Sequence, residues 1–291
     1  MKITLLTTLA KLAENKRIEQ EVKNLGHEFS MLDEQDFEFK IFDNKLISEG
    51  LTDIKTDVLI VRGIFNSIKS ISSIIKVQQS KGIKVFDNNL VDHQYSIDKV
   101  TDIVKLSLAG IATPNTIYLR DFDKWSEAAT NLGYPVIAKS TRMGKGASVF
   151  KINNQEQLDQ LIENLVSEDK KPKSYILQEY IPYEFDLRVL IVGEHVWAMQ
   201  RIPKEGEFRA NFSLGGSVKL YDLDDDTRQL ALKALSAVGM SVGGVDVLMT
   251  KDKARKVILE VNHTAGMIGM ELATSQNITK IYVEHALANA C

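Results

Sequence analysis

Acidic and amide side chains interrupt two strongly apolar segments near the end of the chain. Asp246 lies within GGVDVLM, and Glu260 and Asn262 lie at the end of KVILEVN. Because side chains alternate between faces along a strand, Glu260 and Asn262 point the same way, and a hairpin of the two segments would bring Asp246 to them. Such oxygen ligands suit Mg²⁺, or Mn²⁺ in its place, where substrate phosphates complete the coordination. The alternative is two strand ends that reach solvent, but unpaired carboxylates are rare in buried strands, which favours the metal site.

A lysine and a glycine-containing loop occur earlier, in VIAKSTRMGKGAS. Lys139 lies in a predicted strand, and the loop after it contains Gly144, Lys145 and Gly146. Glycines let backbone N–H groups approach phosphate oxygens, although the spacing matches neither the P-loop nor G-x-G-x-x-G. An ordinary hairpin loop with surface lysines is the alternative. A protein kinase also has a lysine in such a strand, but the chain has no H-R-D or D-F-G motif, which excludes a kinase.

A possible nucleotide hinge lies in ILQEYIPYEFDLR. Extended backbone at this point offers N–H and C=O groups to an adenine edge, and Glu184 or Asp186 offers a carboxylate to ribose hydroxyls. A strand end with solvated acids explains the same pattern equally well. The residues of the predicted hinge are Gln178, Glu179, Tyr180 and Ile181.

Three arginines follow the hinge. Arg188 and Arg201 lie on the two arms of a predicted hairpin, and Arg209 lies beside Asn211 in the glycine-containing segment PKEGEFRANFSLGGS. Guanidinium groups suit phosphate and carboxylate oxygens, whereas a single arginine is more often a surface residue.

The elements that must position these residues follow a clear order. Over the first 90 residues, strand patterns alternate with amphipathic helices that end near Gly26 and Gly82, which predicts a parallel sheet with helices on its faces. A helix then begins with Ser96 as the predicted N-cap and Asp98 in the first turn. The remainder predicts antiparallel strands with helices, including a hairpin with its turn at Gly193-Glu194.

Composition excludes several other classes of protein. The 291 residues have a formal net charge of -3 and 44% hydrophobic residues, which is typical of a globular protein and argues against a nucleic-acid partner. The chain has one cysteine, Cys291, which excludes an internal disulfide framework, and it has no apolar run long enough to cross a membrane. We therefore expect a cytoplasmic protein with no nucleic-acid or membrane partner.

Taken in order, these segments resemble the ATP-grasp superfamily, and within it the RimK/LysX-like amino-acid ligases. The resemblance covers roughly residues 95–280 and is carried by SIDKVTDIVKLSLAGIATP, YPVIAKS, ILQEYI, DLRVLIVG, KEGEFRANFSLGG, VGGVDVLM, ILEVN and GMELAT. It implies a mixed α/β and α+β protein, an ATP-grasp fold preceded by a Rossmann-like domain. The expected units are an N-terminal domain at 1–92, a central subdomain with a mobile loop at 93–178, and a C-terminal subdomain with the metal site at 179–291.

The resemblance also implies roles for individual residues. Lys99 and Lys139 are expected to contact ATP phosphates, covered by the loop 141–148, and Asp186 is expected near the ribose and active site. Arg188, Arg201, Arg209 and Asn211 are expected around the transferring phosphate and the substrate. The hinge is expected to bind adenine, and Mg²⁺ to be held by Asp246, Glu260 and Asn262.

The function implied is amide-bond formation with ATP and Mg²⁺. A carboxylate would be phosphorylated to an acylphosphate, and an amino acid such as glutamate would be joined to a peptide, carrier-protein or cofactor carboxylate by a homo-oligomeric enzyme. The alternatives are another ATP-grasp ligase, of the carboxylase or purine-pathway type, and a non-catalytic ATP-binding protein.

Many members have N-x-x-P-G after the metal ligands, whereas this chain has Asn262-His263-Thr264-Ala265-Gly266.

Overall fold

A computed structural model describes most of the chain, namely residues 1–33, 40–43, 45–47, 54–64, 68–87, 98–141, 148–183, 185–204, 206–209, 217–250 and 255–291. Several residues singled out from the sequence lie outside these ranges: Ser96, Gly144, Lys145, Gly146, Glu184 and Asn211. The division into units at residues 92 and 178 stays a proposal.

The N-terminal part forms a four-stranded parallel sheet of order β2-β1-β5-β6, as the strand–helix alternation predicts. Helices α1 and α2 connect its strands, and a small hairpin, β3 with β4, lies between β2 and β5. Gly26 and Gly82 both have positive φ just after the helices, as expected for residues that end a helix. The elements are β1 (Lys2–Thr7), α1 (Ala13–Asn24), β2 (Glu28–Asp33), β3 (Lys40–Phe42), β4 (Lys45–Ile47), β5 (Val58–Val61), α2 (Ile68–Ser80) and β6 (Lys84–Asp87).

The middle of the chain forms an antiparallel sheet of order β7-β10-β8-β9, with helices α4 and α5 packed against it. Trp125 of α4 is buried against Tyr175 of β10, with ring centroids 6.4 Å apart. The elements are α3 (Lys99–Leu108), β7 (Thr116–Ile117), α4 (Trp125–Leu132), β8 (Val136–Ser140), β9 (Val149–Ile152), α5 (Gln155–Ser167) and β10 (Tyr175–Glu179).

The prediction for the start of α3 was wrong by two positions, because the N-cap was expected at Ser96. Asp98 is not in the first turn but is the N-cap, and its side chain accepts a hydrogen bond from the Thr101 backbone N–H at 2.9 Å. Lys99 is therefore the first residue of the helix, and its own N–H donates to the Thr141 carbonyl at the end of β8 at 3.2 Å. A carboxylate satisfies the unpaired N–H groups of a first turn better when it precedes the helix.

The C-terminal part is a five-stranded antiparallel sheet of order β13-β12-β11-β14-β15. The predicted hairpin of β11 and β12 is confirmed, with Val192 opposite His195 and with Gly193 at φ +58° in the turn. A Cβ at Gly193 would lie 2.7 Å from the His285 ring, so only glycine fits this contact with α8. The elements are β11 (Asp186–Val192), β12 (His195–Ile202), β13 (Ser217–Leu220), α6 (Asp225–Ala237), β14 (Val242–Met249), β15 (Lys256–Asn262), α7 (Ile268–Thr274) and α8 (Ile278–Asn289).

The two faces of this five-stranded sheet are covered differently. One face packs apolar side chains such as Leu187 and Val245 against α6 and α3. On the other face, Leu190, Val192 and Val242 pack against α8, which in turn packs on the N-terminal sheet. Because α8 covers only part of this second face, polar side chains occupy the remainder of it. None of the described helices is long and apolar enough to span a membrane.

The N-cap of α6 offers a test of local stability. The Asp224 carboxylate accepts from the Thr227 N–H at 2.8 Å and from Lys256 Nζ at 2.8 Å, and these partners lower its pKa to about 2. We expect Asp224→Ala to lower the free energy of unfolding in urea at pH 7 by about 1 kcal/mol, through loss of the cap. The ionised form is the stabilising one, so the difference should shrink as the pH falls below about 4.

Asp224→Asn is the matched control for that variant. It keeps an oxygen that can cap the helix but removes the charge that faces Lys256, so it should cost less than the alanine. Equal losses in the two variants would show that the cap contributes nothing.

Candidate active site

Strand register places residues that were predicted to bind metal and phosphate in one row across the C-terminal sheet. Arg188 of β11 lies opposite Asp246 of β14, and Asp246 lies opposite Glu260 of β15. Asn262 lies opposite Gly244, two residues before Asp246, so all of these side chains share one face of the sheet. The register shift between Asp246 and Val247 falls just beyond this row. The predicted hairpin of β14 with β15 is confirmed, and it brings Asp246, Glu260 and Asn262 together.

Asp246 is held by two arginines. Arg188 donates through Nε to Oδ1 and through Nη2 to Oδ2, the second at 2.9 Å, and Arg201 Nη2 lies 3.0 Å from Oδ2. Burial alone would raise the pKa of Asp246, but the charges of Arg188 and Arg201 outweigh it and hold that pKa below its usual range. The carboxylate is therefore ionised and fixed in position.

Arg201 joins a second carboxylate to this group. It donates from Nε and Nη2 to the two oxygens of Asp186, at 2.6 and 2.8 Å. Burial raises the pKa of Asp186 and Arg201 opposes this, while the charge of Asp246 raises it further. Both oxygens of Asp186 accept from Arg201, so this carboxylate orients an arginine of the site, and its place near the ribose stays a prediction.

Glu260 and Asn262 differ from Asp246 and Asp186 in their hydrogen-bond partners. Among the described residues, the Glu260 carboxylate pairs with Lys99, whose Nζ lies 3.8 Å from Oε1. Asn262 donates from Nδ2 to the Gly244 carbonyl at 3.4 Å, which leaves its amide oxygen at the opposite end of the group. No cluster of three or more His, Cys, Asp or Glu residues suited to a metal exists within the described ranges. Two carboxylates and one amide oxygen fit Mg²⁺ when phosphate oxygens complete the coordination.

Two lysines face these oxygens from other elements. Lys99 comes from the first turn of α3, and Lys139 from β8, where its Nζ donates to the Leu259 carbonyl at 3.4 Å. The pKa of Lys139 is lowered to about 8, chiefly by burial and in part by the charge of Lys99, while the charges of Glu260 and Asp246 oppose the shift. The structure therefore brings both predicted phosphate-binding lysines to the predicted metal ligands.

The predicted hinge follows β10, and its acidic side chain is already occupied. Glu179 accepts hydrogen bonds from the N–H and the side chain of Asn115, both at 3.0 Å, and Arg255 Nη2 lies 3.0 Å from it. Gln178 donates to Thr116 at 2.7 Å. Both side chains are therefore occupied, and the Glu179 N–H donates to the Asn115 carbonyl at 2.9 Å, so adenine binding by this segment stays a prediction. Asn115 and Arg255, which support the hinge, were missed because nothing in their local sequence marks them.

Tyr180, the next residue of the predicted hinge, makes a contact that the sequence analysis did not predict. Lys151 Nζ of β9 lies 3.8 Å from the centroid of the Tyr180 ring. A cation over an aromatic face is attractive and fixes the ring beside Ile181, which is itself buried. Strand pairing of β8 with β9 decides this contact, so it cannot be inferred from spacing along the chain.

The loop that carries Arg209 has a local salt bridge. Arg209 Nη2 lies 2.7 Å from Glu207, and the Tyr183 hydroxyl donates to the Phe208 carbonyl at 2.6 Å. The Arg209 guanidinium carbon also lies 5.4 Å from the centroid of the Phe208 ring. The neighbouring Asn211 and the loop glycines Gly144 and Gly146 lie outside the described residues.

A buried pair beside the predicted metal ligands was also missed. His263 Nε2 lies 2.9 Å from Asp102 Oδ2, and both side chains are buried. Asp102 belongs to α3 and His263 follows Asn262, so the pair ties the helix that carries Lys99 to the end of β15. Two residues 161 positions apart leave no local signal in the sequence.

Comparison with known proteins agrees with this geometry. A protein of Pseudoalteromonas atlantica named Probable alpha-L-glutamate ligase 2 is 30% identical, with the match covering 100% of this chain and 96% of the relative. A protein of Nitrosococcus oceani named Probable alpha-L-glutamate ligase is also 30% identical, over 100% of this chain and 96% of the relative.

Solved structures show the same fold at lower identity. The ATP-grasp ligase PsnB, complexed with a minimal precursor, Mg and ADP, has a TM-score of 0.72 at 16% identity, over 98% of this chain and 96% of that one. A RimK domain protein from Sphaerobacter thermophilus has a TM-score of 0.69 at 16% identity, over 98% and 99%. The model of the RimK-like ATP-grasp domain matches residues 96–285, more than half of the chain. The chain is therefore a member of the RimK-like ATP-grasp family and a ligase of that type.

Proposed function

We propose that this ligase joins L-glutamate to the carboxylate of a peptide, carrier protein or small cofactor, with ATP converted to ADP and phosphate. The amino acid is suggested by the relatives of about 30% identity that are named alpha-L-glutamate ligases. A peptide as acceptor is suggested by structural neighbours complexed with precursor peptides. The observation that carries the proposal is the convergence of Lys99, Lys139, Arg188 and Arg201 on Asp246 and Glu260.

ATP would bind between the middle and C-terminal sheets. The backbone of Gln178–Ile181 would hydrogen-bond the adenine, and Lys99 and Lys139 would neutralise phosphate charge. Gly144, Lys145 and Gly146 are proposed to lie in a loop that closes over the phosphates and excludes water.

Asp246, Glu260 and Asn262 are the residues that would hold Mg²⁺, or Mn²⁺ in its place. The bound ion would neutralise charge on the phosphates during transfer. Arg188 and Arg201 keep the Asp246 carboxylate ionised and oriented, as their hydrogen bonds require.

The reaction has two balanced steps. An oxygen of the substrate carboxylate bonds to the γ-phosphorus of ATP as the bond to ADP breaks, which gives an acylphosphate. The amine nitrogen of glutamate then bonds to the acyl carbon, phosphate leaves, and the nitrogen loses its proton. Phosphoryl transfer of this kind depends on positioning and charge neutralisation, which Lys139, Arg188 and Arg201 supply, together with Arg209 and Asn211 in our proposal.

The proposal is tested by nucleotide turnover with Mg²⁺ and ATP. Single amino acids are supplied with and without glutamate-ended peptides, and the products are separated by chromatography. ADP and phosphate that form only with glutamate and an acceptor would support the proposal. AMP and pyrophosphate would contradict the acylphosphate mechanism, and turnover with another amino acid would change the substrate.

Glu260→Gln should lower ADP formation by at least about 100-fold, because a neutral amide cannot replace a carboxylate ligand beside Lys99. The matched control is Glu284→Gln, on the exposed side of α8, where Lys280 Nζ lies 3.7 Å from the Glu284 carboxylate. Wild-type turnover in Glu260→Gln would remove Glu260 from the metal site. Unchanged folding of both variants is checked by melting temperature.

The pKa of about 8 for Lys139 predicts a pH-dependent affinity for nucleotide. Phosphate charge favours the ammonium form, so binding raises the pKa and takes up a proton near pH 8. We expect the affinity for a non-hydrolysable ATP analogue to fall as the pH rises above 8, by up to about tenfold per pH unit. Calorimetry in buffers of different ionisation enthalpy measures both effects.

Lys139→Met is the control for this prediction. It should bind the analogue more weakly at pH 7 and should lose the dependence between pH 8 and 10. The same decline in the variant would assign the titration to another group.

A further inference from the structure

Arg62 is a buried arginine that has no role in the two reaction steps proposed above. It follows β5 at the carboxyl end of the N-terminal sheet, is only 6% exposed, and its N–H donates to the Leu6 carbonyl at 3.0 Å. In the order β2-β1-β5-β6, the chain first moves from β1 to β2 on one side and then returns to β5 and β6 on the other side of β1. The strand order therefore reverses between β1 and β5. Ligands of such parallel sheets bind beyond the carboxyl ends of the strands at this point.

The Arg62 side chain reaches the loop that follows the proposed metal ligands. Nη2 donates to the Ala265 carbonyl at 2.7 Å, three residues after Asn262. A Cβ at Gly244 would lie 2.9 Å from the Ala265 Cβ and 3.2 Å from Arg188 Cδ. Ala265 therefore packs on the sheet beside Arg188, and one layer of residues separates Arg62 from the row that contains Asp246.

The charge of Arg62 is not balanced by its surroundings in the described part of the protein. Its guanidinium carbon lies 5.3 Å from the centroid of the Tyr282 ring, and its Nε atom is buried with no hydrogen-bond partner in the part of the chain that the structure describes. Among the described residues, Arg62 forms no ion pair, unlike Arg17, which pairs with Glu21 and Glu271. Burial of a guanidinium charge without a counter-ion, and of its Nε–H without an acceptor, is energetically unfavourable. A carboxylate would supply both, because its two oxygens match the paired N–H donors of an arginine.

We propose that Arg62 binds a substrate carboxylate that is not the one activated by ATP. Lys139 and the hinge lie on β8 and β10, whereas Arg62 approaches from the N-terminal sheet, on the side of the loop that carries Ala265. The inference rests on the proposed function, which supplies two sources of such a group: the carboxylates of the incoming amino acid and a further carboxylate of the acceptor.

The test compares acids with their amides in wild type and in Arg62→Met. Binding is measured by calorimetry in the presence of Mg²⁺ and ADP for L-glutamate, its α-amide and L-glutamine, and for a glutamate-ended peptide and its C-terminal amide. Wild type should bind one acid about 10- to 100-fold more tightly than its amide. In Arg62→Met that ratio should fall close to one, and the affinity for ADP should stay unchanged. The pair whose ratio collapses identifies the carboxylate.

Two further variants separate recognition from a structural role. Arg17→Met removes another arginine that links the N-terminal region to the C-terminal part, through Glu271, so it should lower the melting temperature and leave every ratio unchanged. Arg62→Lys keeps the charge and loses the planar fork, so its ratio should be reduced; it carries the test if Arg62→Met does not fold.

The outcomes distinguish this inference from the proposed function. Persistence of every acid-to-amide ratio in folded Arg62 variants, or equal weakening of acid and amide, would overturn the role of Arg62. Absence of ADP formation by wild type with all substrate pairs would overturn the ligation of glutamate instead, since the binding ratios are measured without turnover.

Discussion

The candidate site depends on a buried carboxylate that must stay ionised. Asp246 is 7% exposed, and an unpaired charge at that depth would be too unfavourable to persist. Arg188 and Arg201 provide the pairing, and Arg201 in turn needs Asp186 to hold it. Because each of these side chains comes from a different position in one antiparallel register, a slip of one residue would send the whole set to the opposite, apolar face.

The elements outside the C-terminal sheet supply what that sheet lacks. It carries the acids and two arginines, whereas the lysines come from α3 and β8. A hydrogen bond from the Lys99 N–H to the Thr141 carbonyl and the pair of Asp102 with His263 fix α3 between β8 and β15. Placement of cations against the acids therefore depends on contacts between separate parts of the chain, and so does the lowered pKa of Lys139.

Much of the architecture could be predicted from local patterns. Alternation of strands with helices predicts the parallel sheet, and the turn at Gly193-Glu194 predicts the hairpin of β11 and β12. Apolar segments interrupted by Asp246, Glu260 and Asn262 predict that these three side chains converge, since strand alternation leaves few other arrangements. The start of α3 was misplaced because Ser96 and Asp98 are both good caps, and only the backbone geometry distinguishes them.

The sequence by itself determined the types of chemistry available: hard oxygen ligands, phosphate-binding cations and a glycine-containing loop. Tertiary structure decided which of those groups are already occupied. The carboxylates of Glu179 and Asp186 look free for ribose or solvent in the sequence. In the structure, Arg201 of the neighbouring strand binds Asp186, and Arg255, which precedes β15, binds Glu179. Conversely, Arg62 looks like one arginine among many, and only folding buries it beside Ala265, with no counter-charge among the described residues. Burial and pairing are properties of contacts between strands, and no spacing along one strand contains them.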